Sequence, residues 1–502
     1  MHSFTRLRSC IQRASIALVL VMLGFSASAA EPTDWKKVST DNIIMYTDYN
    51  TETALKAIED LEVFRMTVLQ FMKGVEVENL PQVTVYMFET DKMWKNLGMK
   101  DYVGGFFRNP IYGPQMFVRS RDGKAALDVV FHEYVHYLVM TNVPIRFANW
   151  YNEGIAEFFS TLVIGDDYVF IGAVPKDRAE TLSKRGFIKP EELFKSVRGV
   201  NKGWRYWAKY YASAWLTTHY FTLGARNGFP SYYQANAKFL NLINQGVDVD
   251  AAYSQSFPIS YSELNSEVLA YARSKSKDGF AIDKPQLNAK TTIKTLSAVE
   301  AKSVLARAFG WRNAEGLGYT YLTEAAEAND PFAMSVMAVR AGVQKDKERL
   351  LDYLGRIEKA QVLDKNVTHN LGNAYMHLAG MARQEDDIEA ARNHRSKAKD
   401  YFEFSINQNG YLPSYLALIR FYDRAGLMGD ARNTVEQMLA FAPNHYRARI
   451  TAAQFYIDVK EYITALEHVE AAKSLAGHDD SVMEELLELF EKIKSNSKSS
   501  SE

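Results

Sequence analysis

The chain has 502 residues, of which 59 are basic and 60 are acidic. This balance excludes the strongly basic surface on which nucleic-acid binding depends. The length allows two or three domains with substantial cores, and an aromatic content of 13% argues for ordered structure rather than for disorder.

Residues 1–30 have the pattern of a secretory signal peptide. The segment contains no acidic residue, an apolar run occupies Ile16–Phe25, and small residues offer a cleavage site near Ala29 or Ala30. The apolar run is too short to cross a bilayer comfortably, so a cleaved signal is favoured over an uncleaved anchor. Cleavage would remove Cys10, the single cysteine, and we expect a periplasmic or secreted protein with no disulfide and no stable membrane insertion. The basic residues of the segment are Arg6, Arg8 and Arg13.

The segment that follows predicts a small mixed sheet with one long helix. β-branched and aromatic residues indicate strands over Asn42–Thr47 and Val83–Phe88. A helical stripe of apolar residues covers Thr53–Met72. Two further runs, Gly104–Arg108 and Gln115–Arg119, have the pattern of a hairpin or of paired edge strands.

An H-E-x-x-H motif follows these strands at His132, Glu133 and His136. Residues four apart in a helix share one face, so both imidazoles can bind the same ion. Glu133 points away from that face, close enough to reach a water on the ion without binding the ion itself. Zinc suits neutral imidazole ligands with one position left for water. A third protein ligand is still required.

The stretch Trp150–Phe159 contains N-E-G-x-A, and together with the first motif it resembles the gluzincin metallopeptidases, which include thermolysin and the zinc aminopeptidases. The resemblance implies that Glu153 is the third zinc ligand and that Glu157 orients a histidine, with Glu in place of the usual Asp. It further implies an α+β zincin-like catalytic domain with a small mixed sheet, Zn²⁺ as cofactor and Glu133 as the general base.

The same resemblance implies residues that bind the substrate and stabilise the oxyanion. In that family the strand before the active helix pairs with the substrate backbone, and the aminopeptidases carry a G-x-M-E-N segment there. This chain lacks that segment, which favours endopeptidase cleavage. The matching strand residues are Met116, Phe117, Val118 and Arg119. The oxyanion donor is expected on a helix over Trp204–Leu223, with Tyr211 first, then Tyr210 and His219; burial in an aromatic core is the alternative role of these side chains.

The second half of the chain shows an internal repeat. Leu371–Tyr375 matches the first helix of a tetratricopeptide (TPR) unit. Tyr422 and Tyr456 are 34 residues apart, as are Ala431 and Ala465, which is the period of that repeat. The region therefore resembles TPR domains, and an all-α TPR-like solenoid is expected, with a plain helical bundle as the alternative.

The sequence thus predicts a signal peptide at 1–30, a gluzincin-like domain at 31–277, a polar linker at 278–290, a TPR-like domain at 291–493 and a disordered tail at 494–502. The function hypothesis is a secreted or periplasmic zinc endopeptidase whose repeats recruit a protein substrate or a partner. One variant is a peptidase that acts on envelope-assembly clients and is held shut by a loop. The alternative is a catalytically inactive, peptidase-like periplasmic scaffold or chaperone that acts through the repeats.

Overall fold

The structure, a computed structural model, describes residues 32–72, 80–99, 103–120, 126–142, 147–196, 202–275, 277–287, 290–310, 316–361, 364–476 and 480–499. The predicted signal peptide, with its cleavage site and Cys10, lies outside these residues. Within the described part of the chain, no helix combines the length and the apolar character that crossing a bilayer requires.

Nine strands and twenty-one α-helices make up the described fold. The strands are β1 (Lys36–Ser39), β2 (Ile43–Thr47), β3 (Val83–Phe88), β4 (Gly105–Arg108), β5 (Gln115–Arg119), β6 (Val163–Ile164), β7 (Tyr168–Ile171), β8 (Phe280–Asp283) and β9 (Thr292–Thr295). The helices of the first half are α1 (Thr51–Phe71), α2 (Asp91–Lys95), α3 (Leu127–Asn142), α4 (Asn149–Ser160), α5 (Lys176–Arg185), α6 (Pro190–Phe194), α7 (Trp204–Leu223), α8 (Tyr233–Asn244), α9 (Val249–Ser256) and α10 (Tyr261–Arg273). The helices of the second half are α11 (Ala298–Phe309), α12 (Leu317–Glu327), α13 (Pro331–Val343), α14 (Lys347–Ala360), α15 (Lys365–Gln384), α16 (Ile388–Asn407), α17 (Leu412–Arg424), α18 (Met428–Phe441), α19 (Tyr446–Asp458), α20 (Tyr462–Ala476) and α21 (Asp480–Ser499).

The predicted mixed sheet is confirmed, and it has six strands in the order β4-β5-β3-β2-β1-β9. β3 pairs in parallel with β2 and with β5, whereas β4, β1 and β9 join by antiparallel pairing. β3 lies inside the sheet, and five of its six residues are buried, as expected for a strand that is covered on both faces. Helices α1 and α3 cover one face of the sheet, and the start of the helical half covers the other.

The predicted linker at 278–290 contains a strand. β8 pairs with β7 in a second, three-stranded sheet, and β9 begins just after the segment and pairs with β1. The predicted interdomain linker therefore contributes a strand to a sheet, and a second paired strand follows directly after it. The division into domains at residues 31–277 and 291–493 stays a prediction.

The second half forms the predicted TPR-like helical solenoid, in which successive helices pack as antiparallel pairs. α11 begins with a capping box, in which Ser297 and Glu300 each bind the backbone N–H of the other. The repeat positions Ala431 and Ala465 are both fully buried, as the 34-residue period predicted. Gly372 lets α15 approach α16, because a Cβ at this position would overlap the ring of Phe402.

The predicted disordered tail is wrong in its first part, because α21 continues from Asp480 to Ser499. Val482, Leu486 and Leu489 of this helix are buried against the preceding helices. Once such packing has formed a helix, each further residue costs little to add. The Ser- and Lys-rich composition after residue 494 therefore does not end the helix.

Candidate metal centre

Helix α3 presents two histidines on the side that faces away from the sheet. Phe131 and Val135 of this helix lie in the core beneath it, and the ring of Phe131 stacks on Phe64 at 4.1 Å between centroids. This packing fixes the rotation of α3 about its axis. His132 and His136, one turn apart, consequently share a face, as the motif predicted.

Helix α4 supplies the third side chain of the site, Glu153, which is only 2% exposed. The next residue, Gly154, lies against α7, where a Cβ would overlap Thr218 and come within 2.7 Å of the Ala214 carbonyl oxygen. The absence of a side chain at 154 thus allows α4 to pack closely on α7. The glycine of the N-E-G-x-A motif therefore sets the position from which Glu153 reaches α3.

The three predicted ligands converge on one point. The Nε2 atoms of His132 and His136 are 3.1 Å apart, and Glu153 Oε2 is 3.3 Å from each of them. In a tetrahedral zinc site with Zn–N and Zn–O distances near 2.0 Å, ligand atoms are about 3.3 Å apart. The donor atoms of this group all lie within 4.8 Å of one another, so their chemistry and their spacing both fit a zinc ion.

A second carboxylate supports the first histidine. Glu157 Oε1 is 3.4 Å from His132 Nδ1, on the opposite side of the ring from the ligand nitrogen. Glu157 in turn accepts two hydrogen bonds from Arg178 of α5, at 2.7 and 2.8 Å. Burial alone lowers the pKa of Arg178, but the adjacent Glu157 carboxylate more than reverses this effect, so its pKa is raised and the guanidinium stays charged. This chain of contacts fixes the orientation of the His132 ring.

Arg178 was not among the predicted site residues. It lies 21 residues after Glu157, in a polar helix without a recognisable motif. Its guanidinium also lies 5.7 Å from the centre of the Tyr211 ring. A sequence argument could have asked only which cation neutralises a buried Glu157, and several basic residues would have satisfied it.

Of the three candidate oxyanion donors, Tyr211 lies nearest the histidines. Its ring centre is 6.2 Å from that of His132. Tyr210 instead packs into a neighbouring aromatic core, where its hydroxyl accepts a hydrogen bond from Ser196 at 3.3 Å. His219 is fully buried, with its nitrogens 2.6 Å from the Tyr271 hydroxyl and 3.1 Å from a backbone carbonyl, and burial lowers its pKa to about 4. The structure therefore assigns Tyr210 and His219 to cores.

The predicted substrate-binding strand is not an edge strand. β5 pairs with β3 on one side and with β4 on the other, so its backbone groups are already hydrogen-bonded within the sheet. The predicted pairing of a peptide with Met116, Phe117, Val118 and Arg119 is therefore wrong. The first three of these side chains are also completely buried.

No family model matches the chain, and no curated protein matches it either. Among solved structures, the chain is similar to TTC0263, a thermophilic TPR protein of Thermus thermophilus, with 18% identity and a TM-score of 0.33 over 38% of this chain and 98% of that one. It is similar to the APC/C hetero-tetramer Cut9-Hcn1, with 15% identity and a TM-score of 0.29 over 55% of this chain and 48% of that one. It is also similar to yeast Tom70, with 13% identity and a TM-score of 0.27 over 64% of this chain and 70% of that one.

These comparisons correct the predicted function. The predicted zinc-endopeptidase function is contradicted, and the comparisons agree better with its alternative, a scaffold that acts through TPR repeats. The repeat part of the predicted resemblance is confirmed, whereas the comparisons return no gluzincin domain. The roles predicted for Glu133, which is half-buried on α3, and for Tyr211 stay predictions.

Proposed function

We propose that this chain is a protein-binding scaffold that acts through the surface of its helical-repeat domain. The observation that carries the proposal is the solenoid itself, in which helices α11 to α21 share one continuous core. Stacked helix pairs of this kind present extended surfaces to peptides or to partner proteins. The leader-like segment 1–30 supports a periplasmic or secreted location.

A cleft in the solenoid offers an anchoring point for the partner. It has a volume of about 340 Å³ and lies between α16, α17 and α18. Carboxylate, amide and hydroxyl groups provide most of its polar atoms, so it favours a partner side chain that forms hydrogen bonds. The hydroxyl of Tyr422 donates to Glu403 at 3.2 Å and orders one wall. The lining residues are Glu403, Ile406, Asn407, Leu418, Tyr422, Asp430, Asn433, Thr434 and Gln437.

The solenoid is joined to the six-stranded sheet through a shared core. The backbone N–H of Leu296 donates to the Trp35 carbonyl at 2.8 Å, and the ring of Phe88 in β3 lies 6.4 Å from that of Phe309 in α11. Arg108 of β4 donates to the Ala308 carbonyl at 3.4 Å. A partner held by the repeats is therefore held in a defined position relative to the N-terminal half.

We propose further that the N-terminal half is gluzincin-like and binds one zinc ion through His132, His136 and Glu153. The ligand spacing described above supports this assignment, as does the support that Glu157 gives to the first histidine. When bound, zinc supplies a Lewis acid with an open coordination position and a cross-link between α3 and α4. In the proposed scaffold, the zinc ion acts by cross-linking α3 and α4.

The cleft is tested by capture of partners on the immobilised full chain. The variant Asn433→Arg places a long cation in the cleft, and we expect it to lose at least one partner that the unchanged chain retains. Ala440→Arg, on an exposed position of the same helix outside the cleft, is the matched control. Binding of the purified partner to each variant, measured by calorimetry, then gives the change in affinity directly.

A second measurement distinguishes the scaffold proposal from the zinc-endopeptidase hypothesis. The unchanged chain and Glu133→Gln are compared for hydrolysis of unfolded proteins, with zinc content measured in both. The scaffold proposal predicts the same background in the two samples. Hydrolysis that disappears in Glu133→Gln while zinc is retained would assign the function to the candidate metal centre. Partners that bind Asn433→Arg and the unchanged chain equally would show that the cleft is not the anchoring point.

A further inference from the structure

A cluster of cations and aromatic rings lies on the surface where α5 ends and α7 begins. Its residues, here called the α5–α7 patch, are Lys184, Arg185, Lys202, Trp204 and Arg205, all of which are exposed. Trp204 is the first residue of α7 and is 56% exposed, which is high for a tryptophan. Neither the scaffold surface nor the metal centre uses these side chains.

The cations of the patch are arranged around the aromatic rings. The guanidinium carbon of Arg185 is 4.9 Å from the centre of the Trp204 ring, and that of Arg205 is 5.7 Å from it. Lys202 Nζ is 3.9 Å from the centre of the adjacent Tyr206 ring. A guanidinium that stacks on an aromatic ring keeps its N–H donors at its edge, where they can bind an anion.

The positive charge of the patch is only partly neutralised. Lys184 forms an ion pair with Glu180 one turn earlier in α5. In the part of the chain that the structure describes, Arg185, Lys202 and Arg205 have no carboxylate partner. The nearby Asp177 lies against Arg178, which belongs to the metal centre. Three cations therefore remain available to an external anion.

We propose that the α5–α7 patch docks this protein on an anionic phospholipid surface. Exposed tryptophan and tyrosine rings favour the boundary between headgroups and acyl chains, while lysine and arginine bind the anionic headgroups. Because two guanidinium groups already lie against the Trp204 ring, its faces suit this boundary better than they suit stacking on a sugar. Trp204 precedes Tyr211 by seven residues in α7, about 10 Å along the helix, so the docked protein holds its metal centre close to the bilayer.

The experiment is co-sedimentation of the full chain with vesicles of phosphatidylcholine, with or without phosphatidylglycerol. We expect binding to the anionic vesicles that weakens as salt is raised. The double variant Arg185→Glu/Arg205→Glu should reduce the binding constant at least about tenfold, since each cation near an anionic surface contributes about fivefold. Trp204→Ala should reduce it about fivefold by removing the ring that enters the boundary.

Matched controls separate the patch from net charge and from the chain terminus. Lys347→Glu/Arg349→Glu makes the same charge change on exposed positions of α14 and should bind as the unchanged chain does. All variants carry the same N-terminal segment, so a difference between them reports the patch. Equal binding to neutral vesicles, or equal loss in the two double variants, would overturn the proposal. Stronger Trp204-dependent binding to a soluble anionic polysaccharide than to vesicles would overturn it in favour of a glycan site.

Discussion

At the scale of single residues, the candidate metal centre depends on how each predicted ligand is held as well as on which residues are present. Glu153 is buried beside two imidazoles. Burial of a carboxylate is unfavourable unless a positive charge or hydrogen-bond donors lie next to it. A cation at the point where the three side chains converge would satisfy all of them at once. We therefore expect the purified chain to contain zinc.

The first prediction concerns the residues that support this ligand set. Arg178→Ala removes both hydrogen bonds to Glu157, and the His132 ring then loses its fixed orientation. We expect zinc affinity to fall about 10- to 100-fold, as is usual when such supporting contacts are lost. Competition with a chelator, followed by metal analysis, measures the change. Glu133→Gln is the control and should keep its zinc, whereas His132→Ala should not bind it stoichiometrically.

The second prediction concerns pH and a histidine of the solenoid. His369 is buried, with Nδ1 3.0 Å from the Ser414 hydroxyl, and burial lowers its pKa to about 4. The unfolded chain, with an ordinary pKa near 6.5, binds the proton more readily. Stability is therefore fully present above pH 6.5 and is lost as pH falls towards 4, by up to about 3 kcal/mol from this group.

Urea unfolding at several pH values measures this loss. His369→Gln keeps a side chain that can form hydrogen bonds but cannot be protonated in this range, so its stability should vary less between pH 6.5 and 4. His394, which is only partly buried, provides the comparison as His394→Gln. If His369→Gln shows the same pH dependence of stability as His394→Gln and the unchanged chain, burial of His369 is not the cause of the stability loss at low pH.

At the scale of secondary-structure elements, close approaches between helices decide where the site residues lie. The sequence predicted one long helix over Trp204–Leu223, and α7 has these bounds. No periodic pattern in the sequence indicates how closely α4 approaches α7, because that distance depends on one glycine and on the small residue that faces it. The N-E-G-x-A motif was informative because close packing requires its glycine, which lies next to the predicted ligand Glu153.

The third prediction tests this close approach. Gly154→Ala forces α4 away from α7, because the added Cβ would overlap Thr218. We expect a loss of about 1–3 kcal/mol in the free energy of unfolding, together with weaker zinc binding as Glu153 is displaced. Gly355→Ala in α14 is the control, because nothing lies within 4 Å of its added Cβ. That change should stabilise the chain by up to about 1 kcal/mol.

At the scale of the whole molecule, the two halves share backbone and core rather than meeting at a flexible joint. β9 follows the N-terminal domain in sequence, yet it pairs with β1, and the Ser39 and Thr292 hydroxyls that form a hydrogen bond are 253 residues apart. Trp35 and Phe88 of the N-terminal half lie in the same core as Leu305 of α11. The candidate metal centre and the solenoid are thus parts of one structure.

The fourth prediction follows from this shared core. A chain that stops at residue 277 lacks β8 and β9, which exposes the edges of β7 and β1, and it also loses the helices that cover one face of the sheet. We expect this fragment to aggregate or to show only partial secondary structure, because unpaired sheet edges promote association. Size-exclusion chromatography and circular dichroism test it, with a chain that stops at residue 499, the end of α21, as the control. A monomeric, fully folded 32–277 fragment would show that the halves are independent.

The sequence by itself determined the features that repeat or that act over a few residues. A spacing of four within a helix put His132 and His136 on one face, and the 34-residue period identified the solenoid. Only the tertiary structure decided that Arg178 holds Glu157, that β5 is an interior strand and that the apparent linker enters a sheet. These contacts join residues far apart in the chain, and their formation depends on shape and burial in the complete fold, which no local pattern records.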